Sequence, residues 1–206
     1  MGAVATFKDA CTGGSLTGTP PGTVTFNGLT LNGLDQSTTA SGSDTVSDMT
    51  GSGSGWNLAI TSTQFNDGSG HTLPTNATTV TGASGAAATG NCTVPTNSIG
   101  HPVTVPAGPG PPTAVKIFDA AANTGGGPAS VTVNFQVAVP AYAHATTYSS
   151  TWTLTVRQRT LTPGGRPTRS SRPMPLWAPN AVAGGFARPG SISGPGAVAQ
   201  SVRAQH

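Results

Sequence analysis

Acid–base and nucleophilic chemistry need carboxylates, imidazoles or thiols held within reach of one another. The 206-residue chain offers few: no Glu at all, six Asp, four His and two Cys. The closest pairing is Asp67 with His71 in Asn66-Asp67-Gly68-Ser69-Gly70-His71. The Asn, Gly and Ser around it make a polar hairpin tip the better reading than a metal site or a triad. His101 precedes Pro102 and His144 sits among alanines, neither at ligand spacing from a partner. The 29 Gly include no loop in the strand-to-helix setting that cradles phosphate. Asn76-Ala77-Thr78 and Asn91-Cys92-Thr93 fit the glycosylation triplet, which a Thr-rich chain produces often. No catalytic set, metal site or cofactor is expected. The chain reads as a non-enzyme.

Two short patterns stand out instead. Trp56-Asn57-Leu58 follows Asp48 and the Gly-rich run Gly51 to Gly55, and Trp152-Thr153-Leu154 follows Tyr148. Residues two apart on a strand point to the same side, so each Trp shares a face with its Leu. A buried Trp on each of two facing strands would contribute several kcal/mol through the apolar area it removes from water. Core packing is therefore the preferred role of Trp56 and Trp152, with direct ligand contact the alternative. Asp48 has two readings as well: it orders the Gly-rich turn by bonding nearby backbone, which is preferred, or it meets a ligand.

Positioning these residues falls to short strands. Only 7% of the chain is charged and 5% aromatic, while Thr (33), Ser (19), Gly (29) and Pro (18) are abundant. That composition excludes helical bundles, coiled coils and most α/β enzymes, whose helices need Glu, Lys, Leu and Ala at 3.6-residue spacing. No apolar run approaches the roughly 18 residues that a transmembrane helix needs. Alternation marks half-buried strands at Val24 and Phe26, at Trp56, Leu58 and Ile60, at Val131 to Val139, and at Tyr148, Trp152, Leu154 and Val156. Leu29 and Leu31 take the opposite parity to Val24 and Phe26, which predicts a bulge at Asn27-Gly28. Turn clusters are expected at Gly51 to Gly55, Asn66 to Gly70, Gly82 to Asn91, Ala107 to Pro112 and Asn123 to Pro128. The expected fold is all-β: an immunoglobulin-like antiparallel β-sandwich, favoured over a closed barrel.

Charge divides the chain in two. Residues 1–156 carry Lys8 and Lys116 against six Asp, a balance of 2 − 6 = −4, and residues 157–206 carry seven Arg and no acid, which gives the total of +3. The expected domains are a β-sandwich over 1–156 and a basic, disordered tail over 157–206, where Pro and Gly interrupt every apolar island. Arg runs neutralise phosphates, but no nucleic-acid-binding motif accompanies these, and the tail reads as a solvated extension, with readthrough or a frameshift as a second origin. Met1 to Ala10 does not read as a secretion signal. Cys11 and Cys92 could bridge, closing a loop of about 80 residues worth roughly 4 kcal/mol in the chain-entropy model, although two cysteines alone do not establish a pair.

The two Trp-x-Leu elements, each in its context, resemble the WxL-domain family of Gram-positive surface proteins. In that family the first motif typically follows an Asp and a Gly-rich turn, and the second sits in a final strand after a Tyr. The stretches from Val24 to Gln36 and from Lys116 to Gly125 look like such domains from high-GC actinobacteria. The resemblance covers roughly residues 12–156 and singles out Asp48, Trp56, Leu58, Tyr148, Trp152 and Leu154. It implies an extracellular β-sandwich that associates noncovalently with the cell wall, through peptidoglycan or wall-linked proteins. The alternative function is an assembly module that docks another surface protein by its sheet edges or loops.

Overall fold

In a computed structural model, residues 12–87, 93–110, 112–160 and 197–204 are described, and they contain eleven strands and no helix. In chain order these are β1 (Thr12–Thr19), β2 (Thr23–Phe26), β3 (Gln36–Thr50), β4 (Trp56–Thr63), β5 (Thr78–Ala87) and β6 (Val103–Thr104). There follow β7 (Ala107–Gly108), β8 (Val115–Asp119), β9 (Gly127–Val139), β10 (Tyr148–Gln158) and β11 (Ala197–Ala204). One sheet has the order β1-β3-β9-β5-β6; the other runs β2-β11-β10-β4-β7, with β8 also paired to β4. Among the described residues no ladder joins the two sheets, and the body is the expected sandwich of immunoglobulin-like architecture and not a closed barrel. Pairing is antiparallel except for β11 with β2 and β4 with β7.

The core lies between the sheets, and β9 shows why. Ala129, Val131, Val133, Phe135, Val137 and Val139 are buried, while their neighbours at the opposite parity are half-buried or exposed. β9 sits between β3 and β5, so both its edges are paired, and its apolar face is turned to the other sheet, where Trp152 of β10 meets Phe135. β4 departs from strict alternation: Trp56, Asn57, Leu58, Ile60, Thr61 and Ser62 are all buried. Its second face is covered by the segment around Pro106 and Pro112, whose carbonyls accept from the Thr61 hydroxyl at 3.3 and 3.1 Å.

Two sequence expectations are corrected. No bulge carries β2 onward, because the chain leaves the sheet after Phe26. Leu29 and Leu31 instead pack part-buried against the core from a loop, which the Gln36 side chain ties down by donating to the Thr30 carbonyl. The turn expected from Gly82 to Asn91 is strand as far as Ala87. Small residues occur there because neighbours press close: a Cβ on Gly85 would lie 2.6 Å from Pro95 and 3.0 Å from Phe118. Residues 197–204, within the tail, form β11, whose backbone pairs with β10 and β2. Residues 161–196 lie outside the described residues, as do Cys11 and Cys92, with the bridge proposed between them.

Candidate functional site

β4 and β10 bring the two Trp-x-Leu elements into one sheet. The strands are direct neighbours, with Val156 opposite Leu58 and Leu154 opposite Ile60. They do not face each other across the core, which corrects the facing-strand expectation. Because they run antiparallel, Trp56 lies opposite Gln158 while Trp152 lies opposite Ser62. Six residues of strand separate the two positions, about 20 Å. The indoles therefore occupy opposite ends of the core and do not form one site.

Trp56 is fully buried and stacks on Phe118 of β8, ring centroids 5.3 Å apart and planes within 18°. Its Nε1 donates to the Gly125 carbonyl at 2.9 Å. Gly125 has φ +68°, and a Cβ there would stand 2.8 Å from that same Nε1, so the backbone can reach the indole only as glycine. Trp152 is equally buried and spans the two sheets, with its centroid 4.3 Å from Phe135 of β9 and 6.3 Å from Phe26 of β2. Its Nε1 has no hydrogen-bond partner among the described residues. Leu58 and Leu154 are buried beside them.

Asp48 belongs to the Trp56 end. Its Oδ1 accepts from the Thr50 amide at 3.1 Å and from the Thr50 hydroxyl at 2.6 Å. From Thr50 a chain of hydroxyls continues through Ser52 to Ser54 across the Gly-rich turn. Gln158, from the far end of β10, donates to Thr50 Oγ1 at 2.9 Å and also to Ser52 Oγ. Gly51, Gly53 and Gly55 all have positive φ. Gly55 admits no side chain, because a Cβ would collide with the Ala120 carbonyl. Arg159 closes this end with its Nε 3.5 Å from Asp119 Oδ1, an ion-pair distance that forms no hydrogen bond. The turn thus fastens β3, β4 and β10 at one point.

Tyr148 marks the opposite end. It is buried, and its hydroxyl accepts from the His144 amide at 3.2 Å. Here the His71 and His144 rings stack at 3.7 Å, and His71 Nδ1 meets Asp67 Oδ2 at 2.6 Å. The hydrogen bond from His71, helped by the Ser69 and His71 amides, holds the Asp67 carboxyl down at about 2. No group of three or more metal-ligating side chains occurs among the described residues.

All six side chains singled out by sequence are therefore interior: Asp48, Trp56, Leu58, Tyr148, Trp152 and Leu154. The large apolar side chains left exposed among the described residues are Leu34, Val94 and Tyr142. Leu34 and Tyr142 flank a hydrogen bond from the Ala141 amide to Asp35 Oδ1, 2.8 Å long, which joins their two loops. Sequence reading did not single out these two, because isolated apolar residues in polar loops are ordinary. It also passed over Phe118, Gly125 and Asp44, a buried acid on β3 described below.

The family model described as a surface cell wall-binding WxL domain matches residues 32–164, more than half of the chain and inclusive of both Trp-x-Leu elements. No curated protein matches. Among solved structures, the adhesin CfaE of the CFA/I fimbria of enterotoxigenic Escherichia coli is similar at 12% identity and a TM-score of 0.38, over 90% of this chain and 46% of the adhesin. A mutant of that adhesin gives 12%, a TM-score of 0.40 and coverages of 90% and 45%. A family 123 glycoside hydrolase from Clostridium perfringens gives 11%, 0.36, and coverages of 93% and 27%. The chain spans less than half the length of each. Likenesses this loose carry no information about activity.

Proposed function

Since the chain belongs to the WxL family of surface cell wall-binding domains, we propose that this wall-associated, non-catalytic domain binds peptidoglycan noncovalently through its outer surface, with the Trp-x-Leu elements as its internal scaffold. The observation that carries this reading is the burial of both indoles. A ring with no exposed face cannot stack on a sugar, so the binding groups must lie elsewhere. Solvent-facing hydroxyls such as Thr25, Thr39, Ser41 and Thr45 supply hydrogen bonds. Tyr142, 75% exposed, supplies an aromatic face, and Leu34 an apolar neighbour. Residues 1–156 are net negative, so their attraction to anionic wall polymers is not electrostatic.

Co-sedimentation of the folded full chain with purified sacculi tests the proposal. Binding is expected to persist in moderate salt, and to weaken in Tyr142→Ala while the melting curve stays unchanged. Absence of co-sedimentation would overturn it, and so would binding that disappears as salt rises, since that is the behaviour of an Arg-rich segment on anionic polymer. Capture of a surface protein from a wall-free extract, without binding to sacculi, would assign the assembly role instead.

A further inference from the structure

Asp44 lies on β3 with its side chain turned into the sandwich and is 4% exposed. Strands place acids outward as a rule, because an ionised carboxylate loses several kcal/mol of hydration when buried without a partner. Asp44 makes no hydrogen bond and no ion pair with any described residue. It lines a cavity between the sheets, closed from β1 and the following turn by Gly18, Thr19 and Pro20, from β4 by Leu58, and from β10 by Leu154 and Val156. None of these titrates. The next acid along the same face of β3, Asp48, is engaged with Thr50.

The geometry points to the Asp44 cavity as a binding site for a primary alkylammonium group. The space takes about one water-sized group, which matches an ammonium head and excludes a guanidinium or a quaternary ammonium. An ammonium has three donors and no acceptor, and can give them to the carboxylate and to hydroxyl or carbonyl oxygens at the rim. Pro20, Leu58, Leu154 and Val156 offer the apolar wall against which a methylene stem packs. A divalent metal would need further charged ligands, and no such cluster exists among the described residues. Burial pushes the Asp44 carboxyl up to about 7, so near neutral pH a cationic guest can convert it to the ionised form. This site does not rest on the wall-binding proposal: it is read from the cavity alone and is tested with soluble amines.

The test is NMR of the Asp44 side-chain carboxyl in the full chain at pH 7, titrated with n-butylammonium, tetramethylammonium or n-butanol. Saturable shifts are expected with n-butylammonium only, at least about tenfold tighter than with tetramethylammonium, together with a fall in the Asp44 titration midpoint. Asp44→Asn has no carboxyl to observe, so it is compared with the unmodified protein at the Thr45 and Val46 backbone amides, which line the same cavity; their response to n-butylammonium is expected to disappear in the variant. Absence of saturation, equal binding of the quaternary ion, or an unchanged response in Asp44→Asn overturns the assignment. Should that variant fail to fold, the midpoint of the unmodified protein with and without n-butylammonium decides. A parallel titration with Nα-acetyl-lysine methylamide separates the two sources of the group. Saturation by both amines assigns the site to a side-chain amine on a peptide, and saturation by n-butylammonium alone assigns it to a free small amine.

Discussion

The two indoles have the same burial but different polar bookkeeping, so conservative replacement should separate them. Trp→Phe removes a similar volume at each site, costing roughly 1 kcal/mol in transfer and cavity terms. At Trp56 it also strips the Gly125 carbonyl of its 2.9 Å donor. Leaving a buried acceptor unsatisfied costs about 1–3 kcal/mol more, which gives about 2–4 kcal/mol of destabilisation. At Trp152 the removed N–H has no partner to lose among the described residues. Its desolvation penalty of about 1–3 kcal/mol disappears with it, so Trp152→Phe lands between neutral and about 2 kcal/mol stabilising. Urea denaturation followed by far-UV circular dichroism, with equal slopes required of both variants, measures the difference. A Trp152→Phe that costs as much as Trp56→Phe would refute the reasoning, because the two indole N–H groups would then be energetically alike.

Gly55→Ala forces a side chain into the Ala120 carbonyl at positive φ and should cost more than about 3 kcal/mol; Gly68→Ala, at φ +77° in open space, should cost only about 1 kcal/mol, both read from denaturation midpoints. Asp44 has a raised carboxyl, so the folded state binds the extra proton and stability falls as pH rises from about 4 to about 7; the loss is a few kcal/mol, and urea midpoints of Asp44→Asn should show no such decline. Asp67 is displaced the other way: its contribution is present above about 4 and is lost as pH falls through about 2, so melting temperatures of the unmodified protein and Asp67→Asn should converge over that interval and differ above it.

The fold was legible wherever alternation was apolar. Val131 to Val139 and Tyr148 to Val156 read as half-buried strands and are so in β9 and β10. β3 was not legible, although it is the longest strand, because its inward positions are Thr38, Ala40, Gly42, Asp44, Val46 and Asp48. Only Val46 among them carries a large apolar side chain. The reason for such residues is steric and nonlocal: a Cβ on Gly42 would already stand 2.9 Å from Val24 of the opposite sheet. The Trp-x-Leu recurrence pointed to one body but carried no information on which sheet holds each motif. Neighbouring strands share a parity pattern with facing ones, and only the ladder between β4 and β10 distinguishes them. Burial of an unpartnered Asp44 was likewise invisible, since acids in a Ser/Thr-rich stretch ordinarily face water.

β10, the neighbour of β4 on the side away from β7 and β8, arrives along the chain only at Tyr148 to Gln158, and β3 must wait for Gly127 to Val139 before it has a neighbour on that side. Ladders joining residues about 90 positions apart give a high contact order and slow, late collapse. A nascent chain emerging from the ribosome therefore cannot complete its second sheet until β10, with the second tryptophan, has been added. Until then it stays threadable, a state suited to passage through a narrow export channel.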